Sequence, residues 1–537
     1  MHSGGGRVAS LAARERGVRL PVRRLRPGVR VQIYGSEAQE LDDGDLRALC
    51  AVVGHRDAVY CCCFDRTGAR VFTGSDDMNV KIWCAQSGYL QHTCRGHTQA
   101  ITEMAVSPCN NWLVSASLDG TARVWRIPSG APEAVLAAHS GASVDSVVFA
   151  EWLDSPMMLS IGQDASILLW HAADWKRAPT VLHPGSASQI VLPGNVFDPT
   201  AAPAMAAALN PFVAAGSGGG AGGGAGSSGS ALPSPSASCC AVNATGRLAA
   251  VGLSVAPYLL IWPIENGESS PSKQRSLIGH AEEVTTARFS NRGDVLLTGS
   301  RDGTARAWRW RGRITTFHQT KLVAPEGDTA HNSVLLNAHP SSKQHAVWVD
   351  TVAWSCDDRY VFTSESLRKR TADQLCVSSC VRVWSLPAAN PFKQGGSAHL
   401  AVAAVTEGDV GRLLHTLQPA NGASSSEAVY VLQPHPIEPH ILASAGYDGR
   451  VRLWDVHDGS ALYELRSPGI PRQGSEALLD ACWSPDGASF VATSLDGEML
   501  IFGLGEDAGL AGAPPEQFFT ADSAALTVDG EHNVFMA

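Results

Sequence analysis

The sequence predicts an all-β protein of the β-propeller class, with eight blades in a ring that closes when an N-terminal strand pairs with the last blade. The first observation is a repeated unit, which is clearest from Gly279 to Trp308 and reads GHAEEVTTARFSNRGDVLLTGSRDGTARAW. The second is its spacing, because two further units repeat a His, an Asp and a Trp at the same intervals of 22 and 6 residues. The third is the period. Those two units begin 42 residues apart, within the roughly 40–45 residues that are typical of propeller blades.

Each unit runs through two alternating strands, a tight turn and a third strand that ends at the Trp. The pair Asp302-Gly303 falls between the strands, where Asp supplies a side-chain acceptor and Gly tolerates positive φ, as hairpin turns require. A hydroxyl stands four residues before the turn Asp in five of the six units that keep this Asp, and Ala492 is the exception. The five hydroxyl residues are Thr73, Ser115, Ser160, Thr298 and Ser444.

This combination of residue types and spacing resembles the WD-repeat family. The resemblance implies a buried network in which the Asp accepts from the His, the His meets the hydroxyl, and the hydroxyl meets the indole N–H of the Trp. Such a network has to be complete, because an orphaned member would cost about 1–3 kcal/mol. The predicted members are His55, Thr73, Asp77, Trp83, His97, Ser115, Asp119, Trp125, His280, Thr298, Asp302, Trp308, Asp448 and Trp454.

A hydroxyl, a His and an Asp could also form a catalytic triad. A nucleophile has to be singular and exposed, whereas this set recurs along the chain at a fixed spacing. We therefore interpret the set as structural and predict no catalytic residue.

Eight units can be counted along the chain. The fourth ends at Trp262 with Ala256 in place of the turn Asp, the sixth is interrupted from about 367 to 379, and the eighth has Phe502 in place of Trp. The eighth unit lacks an outer strand of its own, while Leu46 to Val53 reads as a strand before the first unit. Pairing these two ends would close the ring and leave no exposed sheet edge.

The predicted domains follow from the repeats. Residues 1–45 are a disordered arm and an acidic linker, 46–505 form the propeller, and 506–537 are a C-terminal tail. Residues 1–30 carry eight arginines and one acid, which suits a solvated arm, a nuclear-import or phosphate-binding patch, or a transit peptide. Within the propeller, 205–238 is a Gly/Ser-rich insertion that we expect to be disordered, and further insertions run over 310–342 and 388–407.

Composition excludes several classes of function. The net charge of −10 does not suggest a general nucleic-acid-binding domain, so we predict no direct sequence-specific binding of nucleic acid. The 13 cysteines include no CxxC pair, and the nearest spacing, Cys376 to Cys380, has no second half, so we predict no metal and no cofactor. No run of 18 apolar residues occurs, so no membrane-spanning helix is expected.

Several stretches resemble the propeller of the bromodomain and WD-repeat family, which includes the pleckstrin-homology-domain-interacting protein. They include VLQPHPIEPHILASAGYDGRVRLWDVHDG, SPDGASFVATSLDGEMLIFG and the tail segment EQFFTAD. The resemblance implies a nuclear, chromatin-associated protein that regulates transcription or acts as a substrate receptor of a cullin-RING ubiquitin ligase. Three departures limit it. The chain ends at Ala537 without a bromodomain, and residues 1–45 show no sustained apolar period that would indicate a helical region before the propeller. In addition, Trp454-Asp455 continues as Val456-His457, so the WDxR motif of many ligase receptors is absent.

The function predicted from the sequence is a non-catalytic interaction scaffold, with proteins or peptides, including histones or a cullin-RING adaptor, held on one propeller face. On WD-repeat propellers the residue before the turn Asp commonly meets ligands. Arg301 and Tyr447 are the preferred candidates, because Arg and Tyr dominate interface hot spots. The further candidates are Asp76, Gln163, Leu118 and Leu495.

Two alternatives remain open at this point. One is a cytoplasmic signalling or cytoskeletal scaffold, because a fold alone does not set a function. The other is a propeller enzyme with a site in the central channel, which would need convergent, non-repeating acids, bases or metal ligands.

Overall fold

The computed structural model describes the repeat region and part of the tail. The described residues are 46–139, 141–150, 157–164, 166–184, 237–253, 257–264, 275–311, 313–322, 345–370, 375–386, 412–417, 429–466, 477–504, 510, 512–524, 526–529 and 534–536. The predicted arm at 1–45, most of the insertion at 205–238 and the insertion at 388–407 lie outside these residues.

The first four blades are antiparallel four-stranded sheets whose strands follow one another along the chain. Their strands are β2 (Val59–Phe64), β3 (Arg70–Ser75), β4 (Val80–Cys84) and β5 (Leu90–Cys94); β6 (Ile101–Val106), β7 (Trp112–Ser117), β8 (Ala122–Arg126) and β9 (Pro132–Leu136); β10 (Val144–Ala150), β11 (Met157–Gly162), β12 (Ser166–His171) and β13 (Thr180–Pro184); β14 (Ala237–Val242), β15 (Leu248–Leu253), β16 (Tyr258–Pro263) and β17 (Arg275–Ile278).

Blades 5 to 7 follow the same plan, and blade 8 takes its fourth strand from the start of the chain. The strands are β18 (Val284–Phe289), β19 (Val295–Ser300), β20 (Ala305–Arg311) and β21 (Arg313–Leu322); β22 (His345–Trp354), β23 (Tyr360–Arg370), β24 (Leu375–Ser385) and β25 (Arg412–Leu417); β26 (Val429–Pro434), β27 (Ile441–Gly446), β28 (Arg450–Asp455) and β29 (Ala461–Arg466); β30 (Leu478–Trp483), β31 (Ser489–Ser494), β32 (Glu498–Leu504) and β1 (Leu46–Val53).

The predicted eight-bladed ring and its closure are confirmed. Strand β1 pairs antiparallel with β32, from Leu46 opposite Leu504 to Val53 opposite Glu498. The first strands of successive blades contact one another around the ring, from β2 through β6, β10, β14, β18, β22 and β26 to β30, and β30 contacts β2 again. These first strands therefore surround a central channel.

The hydrophobic core lies between neighbouring blades rather than within them. Each of the eight clusters of buried side chains draws on two adjacent blades. One cluster joins Phe72 and Ile82 of blade 1 to Leu113 and Trp125 of blade 2. Strands such as β19 and β27 are buried at every position, because each is covered on both faces. A single blade could not bury its two apolar faces alone.

Two insertions predicted from the sequence are partly regular strand. The interruption expected from 367 to 379 is instead a long hairpin, in which β23 extends to Arg370 and β24 resumes at Leu375 in unbroken register. The insertion expected from Trp310 contains the outer strand β21 of blade 5. These runs have a mixed composition without clear period-2 alternation, so the sequence pattern does not show that they pair.

The described part of the tail packs on the junction of blades 8 and 1. The backbone of Val53, the last residue of β1, donates to Pro515 O at 2.8 Å and accepts from Gln517 N at 2.9 Å. The Gln517 side chain then accepts from Leu90 N of β5 at 2.7 Å. A short 3-10 helix (Thr520–Ser523) and a two-stranded sheet of β33 (Leu526–Val528) and β34 (Val534–Met536) follow. Within the described ranges, no helix has the length and apolar character to cross a bilayer.

Candidate partner-binding face

The buried networks hold the turn between the second and third strands of a blade. In blade 2, the Trp125 indole N–H donates to Ser115 Oγ at 2.9 Å, and Ser115 Oγ lies 2.8 Å from His97 Nε2. His97 Nδ1 lies 2.9 Å from Asp119 Oδ2. This order assigns a neutral imidazole that donates from Nδ1 and accepts at Nε2.

Blades 1 and 5 repeat this geometry. The distances from His to Asp, from His to hydroxyl and from Trp to hydroxyl are 2.9, 2.7 and 2.8 Å in blade 1 and 3.1, 2.8 and 3.0 Å in blade 5. The structure thus brings together three of the predicted sets, namely His55, Thr73, Asp77 and Trp83; His97, Ser115, Asp119 and Trp125; His280, Thr298, Asp302 and Trp308.

The turn carboxylates are ionised acceptors. Burial alone would raise the pKa of Asp119, but hydrogen bonds from His97, from the Thr98 N–H and from the Thr121 hydroxyl together hold this pKa well below its usual value. The same balance of burial against the His280 donor lowers the pKa of Asp302. Burial lowers the pKa of the His97 imidazole in spite of Asp119, in agreement with a neutral ring.

Other blades use modified networks. In blade 3, His139 Nδ1 reaches Ser166 Oγ at 2.7 Å and only approaches Asp164 at 3.6 Å. In blade 7, the Trp454 N–H donates to Ser444 at 2.9 Å, and Asp448 pairs with Arg452 at 2.7 Å. The structure therefore places Asp448 and Trp454 at the predicted turn and strand, but Asp448 has a cationic partner.

Blade 6 contains a network that the sequence analysis missed. The Trp384 N–H donates to Thr363 Oγ1 at 2.9 Å, and a buried ion pair joins Arg382 to Glu365 at 2.6 Å. In other blades the hydroxyl residue lies ten residues before the Trp. In blade 6 the long hairpin separates Thr363 from Trp384 by 21 residues, so that spacing does not locate Thr363. Blade 8 has neither end of the bond, since Ala492 and Phe502, which share one buried cluster, stand where other blades have a hydroxyl and an indole.

The networks place the preceding residue at the mouth of the channel. The backbone N–H of Asp76 donates to Ala58 O at 3.0 Å, just before the first strand of blade 1. Leu118, Gln163, Arg301 and Leu495 make the same bond in their own blades at 2.9–3.0 Å. Because the blades share one orientation around the ring, these turns lie on one face, which we call the turn face.

Exposed apolar side chains cluster on one sector of the turn face. Tyr447 of blade 7, Leu495 of blade 8, Tyr60 of blade 1 and Leu118 of blade 2 are 44, 39, 46 and 43% exposed. The rings of Tyr430 and Tyr447 lie 5.0 Å apart. These blades are consecutive around the closed ring, so we treat the five residues as one surface and call it the tyrosine–leucine patch. Tyr60 and Tyr430 were not among the predicted candidates. Both residues occupy the second position of the first strand of their blade, which faces the mouth of the channel. This shared position could have identified them from the sequence.

Arg301 lies in a different sector and is already held in place. Its guanidinium contacts Glu283 at 2.7 Å and stacks over the Trp348 ring at 4.5 Å. Trp348 lies in β22, on the part of the strand that pairs with the long hairpin of blade 6. Arg301 is therefore a fixed rim contact, whereas Tyr447 presents an exposed ring.

The eight sheets, their circular contacts and the buried networks repeated in several blades together decide the fold. It is a WD-repeat β-propeller. The protein-family model for the WD domain, G-beta repeat, matches residues 47–84, 88–126, 271–309 and 411–455. Each match begins with the outer strand of one blade and ends in the third strand of the next. The first match begins in β1, so β1 serves as the outer strand of blade 8, with which it pairs.

The chain is also similar to several known proteins. A Bromodomain and WD repeat-containing protein of Dictyostelium discoideum is 28% identical over 504 residues, covering 90% of this chain and 21% of that protein. The WD repeat and HMG-box DNA-binding protein 1 of Xenopus laevis is 37% identical over 73 residues, covering 14% of this chain and 6% of that protein. Among solved structures, the β-propeller domain of Myceliophteria thermophila Cps50 (Swd1) has 14% identity and a TM-score of 0.48, covering 86% of this chain and 99% of that chain. The chain thus spans about a fifth or less of the two curated relatives.

Carboxylates in the channel wall of this WD-repeat propeller bond one blade to the next. Asp480 Oδ2 accepts from Cys62 N at 2.8 Å across the closure of the ring, and Glu103 Oε2 accepts from Val147 N at 3.0 Å. Burial raises the pKa of Asp480 to about 6, although hydrogen bonds from two backbone N–H groups act to lower this pKa. These contacts give both carboxylates a structural role. Among the residues that the structure describes, no three His, Cys, Asp or Glu side chains gather as metal ligands.

Proposed function

We propose that this propeller is a non-catalytic scaffold that holds proteins or peptides on its turn face. The supporting observation is the tyrosine–leucine patch, because contiguous exposed apolar side chains on a soluble protein commonly mark interaction sites. Tyr is also enriched among the residues that dominate binding energy. Complete buried networks hold the turns of blades 1 and 2 beneath part of the patch, and a pre-ordered surface loses less entropy on binding.

The test is a comparison of proteins recovered by wild-type chain, a Tyr447→Ala variant and a Val181→Ser variant. Val181 is 45% exposed on the outer strand of blade 3, away from the patch, and so provides a matched control for loss of exposed apolar surface. We expect specific partners to be recovered with wild type and Val181→Ser and lost with Tyr447→Ala. Equal recovery with all three proteins would refute the assignment of this surface.

A second variant tests the other predicted contact. Arg301→Gln removes the charge that faces Glu283 and Trp348 and keeps a hydrogen-bonding side chain of similar length, whereas Arg301→Glu would also place like charges together. Asp76 and Gln163 remain candidates on the same face and would be tested as Asp76→Asn and Gln163→Ala. A partner that is unaffected by all of these changes binds elsewhere.

We further propose membership of the bromodomain and WD-repeat family, with a nuclear, chromatin-associated role in transcription regulation and histones among its partners. The support is the similarity to the Dictyostelium protein over 90% of this chain. The competing proposal is a cytoplasmic signalling or cytoskeletal scaffold. Imaging of the tagged protein separates the two, and an exclusively cytoplasmic signal would refute the nuclear proposal.

A role as substrate receptor of a cullin-RING ligase is a separate proposal, derived from the family resemblance. The residues after Trp454-Asp455 are Val456 and His457, so the WDxR motif does not support it at this position. Co-purification of a cullin-RING adaptor with the tagged chain is the direct test. Absence of the adaptor from complexes that retain other specific partners would refute it.

A further inference from the structure

The charge around the tyrosine–leucine patch narrows the class of partner. Two carboxylates of blade 1 lie beside the patch. Asp57 is exposed and accepts from Ala58 N at 3.1 Å, and Asp76 N donates to Ala58 O at 3.0 Å. Ala58 thus bonds to the carboxylate of Asp57 and to the backbone of Asp76, so both acidic residues lie beside the start of the strand that carries Tyr60.

The electrostatics of these groups agree with that placement. Burial, then the charges on Asp57 and Asp77, raise the pKa of Asp76. Burial, then electrostatic interaction with Asp76, Tyr447 and Asp57, raises the pKa of Tyr60. Tyr60 therefore lies close to both acids of its own blade and to Tyr447 of blade 7, which is distant in sequence.

The same face carries further negative charge. In blade 3, Asp145 occupies the position of Tyr60, and burial followed by the neighbouring charge on Asp164 raises the pKa of Asp145 despite its bond from Ser143. In blade 5, Glu282 is exposed beside the turn, while the nearest cation, Arg301, is paired with Glu283. Arg56 is the exposed cation next to Asp57. The turn face therefore carries acids in blades 1, 3 and 5, and the Arg301 cation of blade 5 is already paired with Glu283.

We infer that the tyrosine–leucine patch binds a peptide segment in which a lysine or arginine is flanked by an aliphatic residue. This inference rests on the proposed function and adds the chemistry of the partner. The cationic head would lie between the carboxylates of Asp57 and Asp76 and over the Tyr60 ring, because carboxylates and aromatic faces both attract cations. The aliphatic residue would pack on Tyr447 and Leu495, next to Tyr430.

An acidic or uncharged apolar segment fits this surface less well. An acidic residue placed at blade 1 would add a third carboxylate to two that already repel each other. A purely apolar segment would bury Asp57 and Asp76 without a partner, and burial of an unpaired charge is costly. A basic residue relieves both conditions at once.

The experiment is a selection of random 12-residue peptides displayed on phage against the full chain. Each selected clone is then measured against Tyr447→Ala, Asp57→Asn/Asp76→Asn and Val181→Ser chains. The amide variants keep an oxygen at each position, so the bond from Ala58 N to residue 57 is preserved, and circular dichroism with thermal melting checks that each variant folds. Binding is measured by fluorescence anisotropy of labelled synthetic copies at 50 and 500 mM NaCl.

We expect clones enriched in Lys or Arg beside Leu, Ile, Val or Met. They should lose binding at least about tenfold with the double amide variant and with added salt, and should be unaffected by Val181→Ser. Clones that depend on Tyr447 but show no basic residue, or show acidic ones, would overturn the inference and leave the proposed function standing. A selection in which no clone depends on Tyr447 would overturn both.

Discussion

Removal of the central hydroxyl of one blade network is the sharpest test of what holds the propeller together. Ser115 is fully buried and has two partners, the Trp125 indole N–H at 2.9 Å and His97 Nε2 at 2.8 Å. Ser115→Ala leaves a buried donor and a buried acceptor without a partner. Each such group costs about 1–3 kcal/mol, so the free energy of unfolding should fall by about 2–6 kcal/mol.

Blade 8 suggests how to separate the hydrogen bonds from the packing. There, Ala492 and Phe502 replace the hydroxyl and the indole together, and both side chains are fully buried. A Ser115→Ala/Trp125→Phe double variant reproduces that pair in blade 2. The double variant no longer contains an orphaned indole N–H. Its loss of unfolding free energy should therefore be smaller than the sum of the losses of the two single variants, by about 1–3 kcal/mol.

The assay is equilibrium unfolding in urea for wild type, both single variants and the double variant, followed by far-UV circular dichroism and tryptophan fluorescence. Coincident transitions by both probes are needed before the four values are combined. Ala492→Ser is the control. It adds a hydroxyl beside a ring that has no donor, so it should lower stability rather than raise it. A coupling free energy near zero would refute the role assigned to Ser115.

Three further predictions concern other parts of the ring. Lys81 and Asp522 form a buried ion pair at 2.5 Å. Asp522→Ala leaves the Lys81 charge buried without its partner, so the free energy of unfolding in urea should fall by about 3–5 kcal/mol. Adding Lys81→Met removes that charge and should recover most of the loss. The pKa of Asp480 is raised to about 6, above its ordinary value of 3.8, so the folded chain holds more protons than the unfolded chain between these values and Asp480 makes stability fall as pH rises from about 4 to 6. Melting temperatures should therefore decline less over that pH range for Asp480→Asn than for wild type. Gly497 has φ +81° and its added Cβ would lie 2.6 Å from the backbone oxygen of His55, so Gly497→Ala should destabilise the closing blade in a thermal melt.

Each of these predictions has an outcome that would contradict it. A double Lys81/Asp522 variant that is no more stable than Asp522→Ala would mean that the buried charge is not the cause. If the melting temperatures of wild type and Asp480→Asn change with pH in the same way from pH 4 to 7, the Asp480 carboxylate is more solvated than the structure shows. An unchanged melting temperature for Gly497→Ala would mean that the turn has room for a side chain.

Much of the blade architecture could be predicted because its determinants are local. His97, Ser115, Asp119 and Trp125 lie within one unit, and a hairpin of standard geometry places positions 22 and 10 residues apart in contact. Strand alternation and Asp-Gly turn chemistry act over the same short range. The network of blade 6 was missed because its spacing along the chain is not the regular one. The long hairpin increases the separation between Thr363 and Trp384.

By itself, the sequence determined the repeated unit, the number of units, the residues of the regular networks, and the need for an N-terminal strand to complete the last sheet. Only the tertiary structure decided that Tyr60 and Tyr447 share one patch, and that Asp522 meets Lys81 across 441 residues of chain. The physical reason is ring closure. A local pattern specifies each blade, but closing the circle makes neighbours of the first and last blades, and no spacing along the chain encodes which exposed side chains then meet.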